Sequence, residues 1–281
     1  MTNGFLLLII IIMKEHDLLS IKEFAALTGI KQSTLRHYDE VKLFQPVRRN
    51  ENGYRYYSAT QALAINLIHV MNSVGVPLKT ISEIQEDRTP ERMLELLRGQ
   101  ESILNQELLR LQRAYAIMHT YSRIISEGLL ADEQALHTQT MLAEAIELGP
   151  LNDFSSGHFF NSFFKHIQQM SARRVDSAYP VGGYYPDMGA FLRTPGRPPR
   201  FFSLVPDGQD TKDAGEYLVG YARGYYSNLG DLPQRLQDHA DSHSLAFVGP
   251  VYILYLHDEV SVADPNQYLI QASVPVKKRK A

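Results

Sequence analysis

The sequence predicts a multidomain chain: a small helical domain closed by a basic hairpin, then one long helix, then an α+β domain. Three observations carry this. Residues 33–58 place a helical apolar spacing directly ahead of an Arg- and Tyr-rich hairpin. Apolar residues then recur every seven positions from Leu97 to Ile125. Beyond Gln139 the pattern becomes short β-type segments broken by Gly and Pro. A length of 281 residues with 44% hydrophobic content suits two or more domains, each with its own core. The net charge of −3 hides a local basic excess. In residues 31–58, Lys31, Arg36, Lys42, Arg48, Arg49 and Arg55 face only Asp39, Glu40 and Glu51, which points to a polyanionic partner for that stretch. The absence of cysteine rules out disulfides and thiolate metal sites.

Residues 1–15 read as an extension. The run Phe5 to Met13 is as long as a signal-peptide core, but no side-chain positive charge precedes it and no small-x-small cleavage site follows. As a helix it reaches about half a bilayer. Either Met13 is the natural start or residues 1–12 are a disordered extension, and no membrane partner is expected.

Residues 16–88 are the first domain. Ser20 and Glu23 form a capping box, with Leu19 and Phe24 as its staple, and Gly29 ends the helix. In the next helix Leu35, Tyr38 and Val41 share one face, while Ser33, Thr34, Arg36, His37 and Glu40 point outward. Asn52-Gly53 predicts a type I′ hairpin turn, its arms bearing Arg48 and Arg49 on one side and Tyr54, Arg55 and Tyr56 on the other. A helix followed by a basic hairpin is a winged helix-turn-helix, in which the wing bonds phosphates and the helix reads the major groove. A second capping box, Ser58 to Gln61, opens a helix with an apolar stripe at Leu63, Leu67, Val70, Met71 and Val74. Gly75 and Pro77 separate it from a shorter helix holding Ile81 and Ile84.

Thr89-Pro90 caps the long helix, 89–128. Leu97, Leu104, Leu111, Met118 and Ile125 form one seam and Leu94, Leu108 and Tyr115 its companion, so a coiled coil in a homodimer is expected. Residues 129–138 read as a linker. The last domain, 139–281, is expected to run strand 139–148, helix 153–171, a hairpin near 179–206, strand 215–223, helix 231–242, strand 250–257 and strand 267–276.

The tyrosines of this last domain, among them Tyr179, Tyr217, Tyr221, Tyr252 and Tyr268, suit a pocket for flat aromatic or cationic ligands, although many can instead span the core-to-surface boundary. Glu144 alternates with Leu142, Ile146 and Leu148, which makes it the candidate buried acid; a strand edge in water is the competing reading. His239 and His243 have metal-ligand spacing but no third ligand, so no metal is expected. The tail Lys277 to Lys280 is expected to be solvated rather than bound to DNA. No nucleophile–base pair is evident, so neither an enzyme nor a cofactor is expected.

These residues resemble a known family, the MerR-type transcription regulators. Thr34-Leu35-Arg36-His37-Tyr38-Asp39 is similar to the family's recognition helix, and Pro46-Val47-Arg48 with Gly53-Tyr54-Arg55-Tyr56-Tyr57 to its wing. Two positions depart from it: Lys31 replaces a capping serine and Lys42 a helix-ending glycine. The resemblance implies a DNA-facing set of Lys22, Thr34, Arg36, His37, Tyr38, Arg48, Arg49, Tyr54, Arg55 and Tyr56. It also implies an antiparallel dimer on promoter DNA, a cytoplasmic setting, and action on RNA polymerase only indirectly, by distorting an overlong promoter spacer.

The last domain resembles the GyrI-like effector-binding domain of multidrug-responsive regulators, through Leu148-Gly149-Pro150, Gly215-Glu216-Tyr217 and Gly249-Pro250-Val251-Tyr252. This implies that Pro150, Tyr179 and Tyr268 line a pocket for small lipophilic or aromatic effectors. Ile253 stands where such domains carry a buried glutamate, so a weakened preference for cations is expected, with Glu144 the remaining acid. Two rival readings are a GyrI-like hydrolase and a ligand-independent DNA-architectural protein.

Overall fold

The computed structural model describes residues 18–86, 89–154, 159–173 and 175–279. The expectations for residues 1–12 and Met13, and for Lys280, lie outside them. The chain divides into two compact units, one ending at Leu109 and one beginning at Arg110.

In the first unit a short strand β1 (Leu19–Ser20) leads into α1 (Ile21–Thr28) and α2 (Gln32–Glu40). The capping box at Ser20 and Glu23 forms with both bonds, and Gly29 closes α1 in the left-handed region at φ 73°. Lys31 gives α2 no side-chain cap. Lys42, where the resemblance led to a glycine, has φ 59°, a conformation that costs a side-chain-bearing residue about 1 kcal/mol. The helix stops at Glu40, so Val41 is exposed and not on the inner face the spacing gave it.

The wing is β2 (Arg48–Arg49) paired with β3 (Arg55–Tyr57), and β1 adds to the other edge of β3. Its turn is not the type I′ expected. Only Gly53 has positive φ, its N–H bonds the Asn50 carbonyl, and the Asn50 side chain holds the N–H groups of Asn52 and Tyr54. Asn50 thus supplies the constraint that a left-handed Asn52 would have supplied. Tyr57, fully buried, stacks on Phe24 at 4.7 Å between ring centroids and pins the wing to α1.

Helix α3 (Gln61–Ser73) buries Ala62, Ile65, Ile68 and Met71. The expected stripe is therefore displaced: Leu63, Leu67 and Val70 form a second, exposed apolar face. Only half of the Ser58 capping box forms, through Gln61 Oε1 on the Ser58 N–H. Helix α4 (Leu78–Glu86) follows.

Helix α5 (Pro90–Leu130) is continuous over 41 residues, and Thr89 caps it through the Arg92 N–H. Along its seam Leu104, Leu108, Leu111, Tyr115 and Met118 are exposed. The two ends of the seam are not bare: Leu97 packs on the first unit's core and Ile125 on the second's.

Among the described residues the second unit is a nine-stranded antiparallel sheet, in the spatial order 136–141, 215–223, 269–278, 251–257, 181–185, 200–203, 144–151 and 210–212, with 245–247 paired to 269–278. The single strand expected at 139–148 is two, β4 (Leu136–Met141) and β5 (Glu144–Leu151), and the first begins inside the stretch read as a linker. Next come α6 (Phe159–Ala172), β6 (Val181–Tyr185), a short α7 (Met188–Arg193) inside the expected hairpin, β7 (Arg200–Ser203) and β8 (Asp210–Lys212). Then β9 (Gly215–Arg223), α8 (Leu232–Ser242), β10 (Leu245–Phe247), β11 (Val251–His257) and β12 (Leu269–Lys278) follow. Lys277 and Lys278 end β12, and Arg279 pairs with Asp241 at 2.5 Å; the three side chains are exposed, as expected, but on paired strand backbone rather than on a loose tail.

Alternation along the central strands builds two cores. Val251, Ile253 and Tyr255 face α7 and α8. Tyr252, Leu254 and Leu256 face the other way, where Ile124 of α5 and Ile146 of β5 pack.

Candidate nucleic-acid interface and binding cavity

The outward side of α2 carries Arg36 and His37, both exposed, with Thr34 half-buried. Arg36 shares a shallow groove with Tyr54 and Arg55 of the wing. Lys22, Arg48 and Tyr54 are exposed as well. Tyr38 is 2% exposed on the face of Leu35, as the helical spacing gave it, and so belongs to the core rather than to the DNA surface that the resemblance implied. Tyr56 is half-buried.

Sequence reasoning gave Asp39 no role, yet it organises the wing. Its carboxylate is 1% exposed and accepts from Arg49 Nη2 at 2.7 and 2.6 Å and from Arg55 Nε at 2.5 Å. Two guanidiniums are thereby locked beside the recognition helix with donors to spare. The spacing Leu35, Tyr38, Asp39 already places an acid on the inner face, and a buried carboxylate requires a cation.

In the second unit a cavity of about 160 Å³ opens beside β6 and β11, roughly the volume that holds a single aromatic ring. Ile253 and Gly183, opposite each other in the β6–β11 register, form part of its wall. A side chain at Gly183 would meet Pro198 at about 3.0 Å, so glycine keeps that wall open. Phe163, Tyr179, Tyr185, Tyr226 and Tyr255 supply ring surface. Tyr121 of α5 completes the wall, along with Asp258 and Glu259 from the turn after β11. No Lys, Arg or His is among the described lining residues. Burial, and then the neighbouring Glu259, push the Asp258 carboxyl above its ordinary range. Glu259 accepts a hydrogen bond from the Tyr226 hydroxyl. Burial, followed by the charges of Asp258 and Glu259, raises Tyr121 to about 12.

Of the residues assigned to ligand contact from sequence, the cavity gathers Tyr179 and Ile253. Tyr268 lies one ring behind the wall, 5.8 Å from Tyr226. Pro150 is outside. Glu144 is not the buried acid: it is partly exposed and pairs with Arg123 at 2.5 Å. The buried acid of β5 is Glu147, 1% exposed, paired with Arg173. The alternation on which the assignment of Glu144 relied fails because Leu142 lies before β5 and is exposed, and because β5 is covered on both faces, burying the neighbours Ile146 and Glu147 alike.

Tyr217, Tyr221 and Tyr252 lie on the opposite face of the sheet. There the buried Lys212 ammonium sits 5.1 Å from the Tyr217 ring and 5.2 Å from the Tyr252 ring, bonded to Ser273 Oγ at 3.1 Å. Burial lowers Lys212 to about 8. Those faces already hold the chain's own cation. Asp258 and Glu259 escaped notice because their turn has no periodicity that aims side chains anywhere.

His239 and His243 stack at 3.9 Å, with His243 Nδ1 on the His239 carbonyl. Among the described residues no group of three His, Asp or Glu side chains could hold a metal. Two Ser–His pairs occur among the described residues: Ser242 Oγ lies 3.0 Å from Nδ1 of its neighbour His243, whose Nδ1 also lies 2.9 Å from the His239 carbonyl, and His166 Nε2 lies 2.8 Å from Ser203 Oγ. His166 and Ser203 are wholly buried, and burial alone lowers His166 to about 4. Such a pair presents no nucleophile to a substrate. Among the described residues no helix is long and apolar enough to cross a membrane.

Residues 19–87 match the model of the MerR HTH family regulatory protein. The multidrug-efflux transporter 2 regulator of Bacillus subtilis is 26% identical over 246 residues, covering 85% of this chain and 89% of that protein. The transcriptional regulator BrlR of Pseudomonas aeruginosa is 34% identical over 103 residues, covering 35% of this chain and 38% of that protein. The EcmrR chain in an EcmrR–DNA complex aligns with 93% of this chain and 100% of its own, at 14% identity and a TM-score of 0.39, too loose a likeness to bear on function. Residues 19–87, with their capped α1, recognition helix and arginine wing, are a MerR-family helix-turn-helix domain, the DNA-binding domain of a transcription regulator.

Proposed function

We propose that this chain is an effector-responsive transcription regulator whose second unit is a GyrI-like domain taking small aromatic organic cations. Two copies join through the exposed apolar seam of α5 from Leu104 to Met118, because a row of exposed Leu, Tyr and Met on one long helix calls for a partner helix. The dimer distorts promoter DNA and so acts on RNA polymerase indirectly, in the manner of the family. Its protein–DNA contacts offset a deformation of several kcal/mol.

The observation that carries the reading is the cavity: aromatic walls, two carboxylates and no basic residue among those described. Ile253 removes an acid from the strand, and Asp258 with Glu259 restores negative charge from the adjoining turn. A preference for cations follows, where the residue at 253 taken alone implied a weak one. Isothermal titration with benzyltrimethylammonium and its uncharged isostere neopentylbenzene tests this. The cation is expected to bind at least about tenfold more tightly, or about 1.4 kcal/mol. Equal affinities would sink the role of the two acids, and no binding of either would sink the effector reading. Leu104→Lys with Leu111→Lys is expected to leave a monomer in light scattering.

A further inference from the structure

Tyr121 is the one described lining residue of the cavity that α5 supplies. The final turns of that helix are built into the sheet. Ile124 is 1% exposed within the core around Tyr252, and the Ile125 carbonyl accepts from His257 Nε2 at 3.1 Å. Arg123 pairs with Glu144 at 2.5 Å, and Glu127 accepts from Gln271 at 2.5 Å. Gly128 allows the closest approach, since a side chain there would come within 2.6 Å of the His257 ring. His257 is next in sequence to Asp258, the acid in the cavity wall. An occupant paired with Asp258 and Glu259 therefore touches the helix through Tyr121, beside the histidine that holds the helix backbone.

We propose that Tyr121 is an effector-contact residue that transmits occupancy of the cavity to α5, the helix that begins at Pro90. This rests on the cavity being the effector site. A ligand shifts a conformational equilibrium only through contacts that differ between the two states, and a ring carried by the long helix is such a contact. Without it an occupant is held by strand and loop residues, and its binding is not felt directly by the helix.

The chain contains no tryptophan, so Tyr121→Trp in the full-length protein gives a single indole fluorophore at the proposed contact. Benzyltrimethylammonium is the probe, with its affinity measured independently by calorimetry on the same variant. The indole emission of the Tyr121→Trp protein is expected to change and to saturate with the calorimetric Kd. In the wild type, amide hydrogen exchange across α5 is expected to slow on saturation. Tyr121→Ala is expected to weaken binding by about fivefold to tenfold and, at saturation, to lose that slowing. Phe163→Ala, a wall residue off the helix, is expected to weaken binding yet keep it. Calorimetric binding to Tyr121→Trp with unmoved indole emission, or a Tyr121→Ala protein whose helix is still protected at saturation, overturns the role of Tyr121 while the effector site stands. No heat with the wild type overturns both.

Discussion

Asp39 in the first unit and Asp258 in the second are acids drawn out of water in opposite ways, while Glu259 beside Asp258 stays exposed. Asp39 is 1% exposed and holds two arginines of its own chain within 2.7 Å. In the cavity wall no basic side chain stands among the described residues, and Asp258 bears a raised pKa from its burial. An acid matched within the fold is structural and orients its partners. One left without an internal cation costs stability, and an external cation can offset that cost. Lys212 is a third arrangement, in which an internal cation has taken the tyrosine faces that a ligand could have used.

Asp39→Ala is the largest expected break in this comparison. It strands two guanidiniums beside a buried site, and the first unit is expected to lose about 3 kcal/mol of stability. DNA affinity should fall with it, as measured by chemical denaturation and by binding to a DNA duplex. A variant as stable as the wild type would show that the wing does not depend on this carboxylate.

Next in size is a group kept neutral by burial rather than matched. His166 has a folded pKa of about 4, below its ordinary 6.5. Between those values the unfolded chain binds the extra proton, so stability is full above about pH 6.5 and declines as pH falls toward about 4. The decline should reach about 3 kcal/mol over that window. Denaturation midpoints of wild type and His166→Gln across this range should differ in slope, and parallel curves would remove His166 from the account.

The smallest effect has the opposite sign to the first. Asp258→Asn should slightly raise the melting temperature at neutral pH without ligand, because the raised folded pKa marks a charged form that folding disfavours. The same variant should bind benzyltrimethylammonium several-fold more weakly. Asp258 already accepts from the Val260 N–H at 3.0 Å; destabilisation on the scale of Asp39→Ala would mean that it has an internal cation as well, and the contrast between the two units would collapse.

The two sites also differ in how far they could be read from the chain. In the first unit local rules act over a few residues: the Ser20 to Glu23 capping box formed, Gly29 closed its helix, and Arg48, Arg49, Tyr54 and Arg55 fell on one hairpin. Helical spacing puts Tyr38 on the buried face with Leu35, against the DNA-facing role that the resemblance implied, and could have placed Asp39 there as well. In the second unit, strand and helix types were legible from period and breakers, but β5 is covered on both faces, so the buried acid is Glu147 rather than Glu144.

By itself the sequence determined the helix-turn-helix, the arginine wing and the long helix with its apolar seam, because capping and periodicity act between near neighbours; the type of the wing's turn it did not determine. Only the tertiary structure decided which tyrosines face a cavity and which are covered by Lys212. Neighbouring residues of a strand point to opposite faces, as Tyr252 and Ile253 do, and composition cannot tell those faces apart. It alone also brought together Tyr121, Ile253 and the Asp258–Glu259 turn, because the contact between a helix and a loop more than 130 residues apart is set by the packing of the whole sheet.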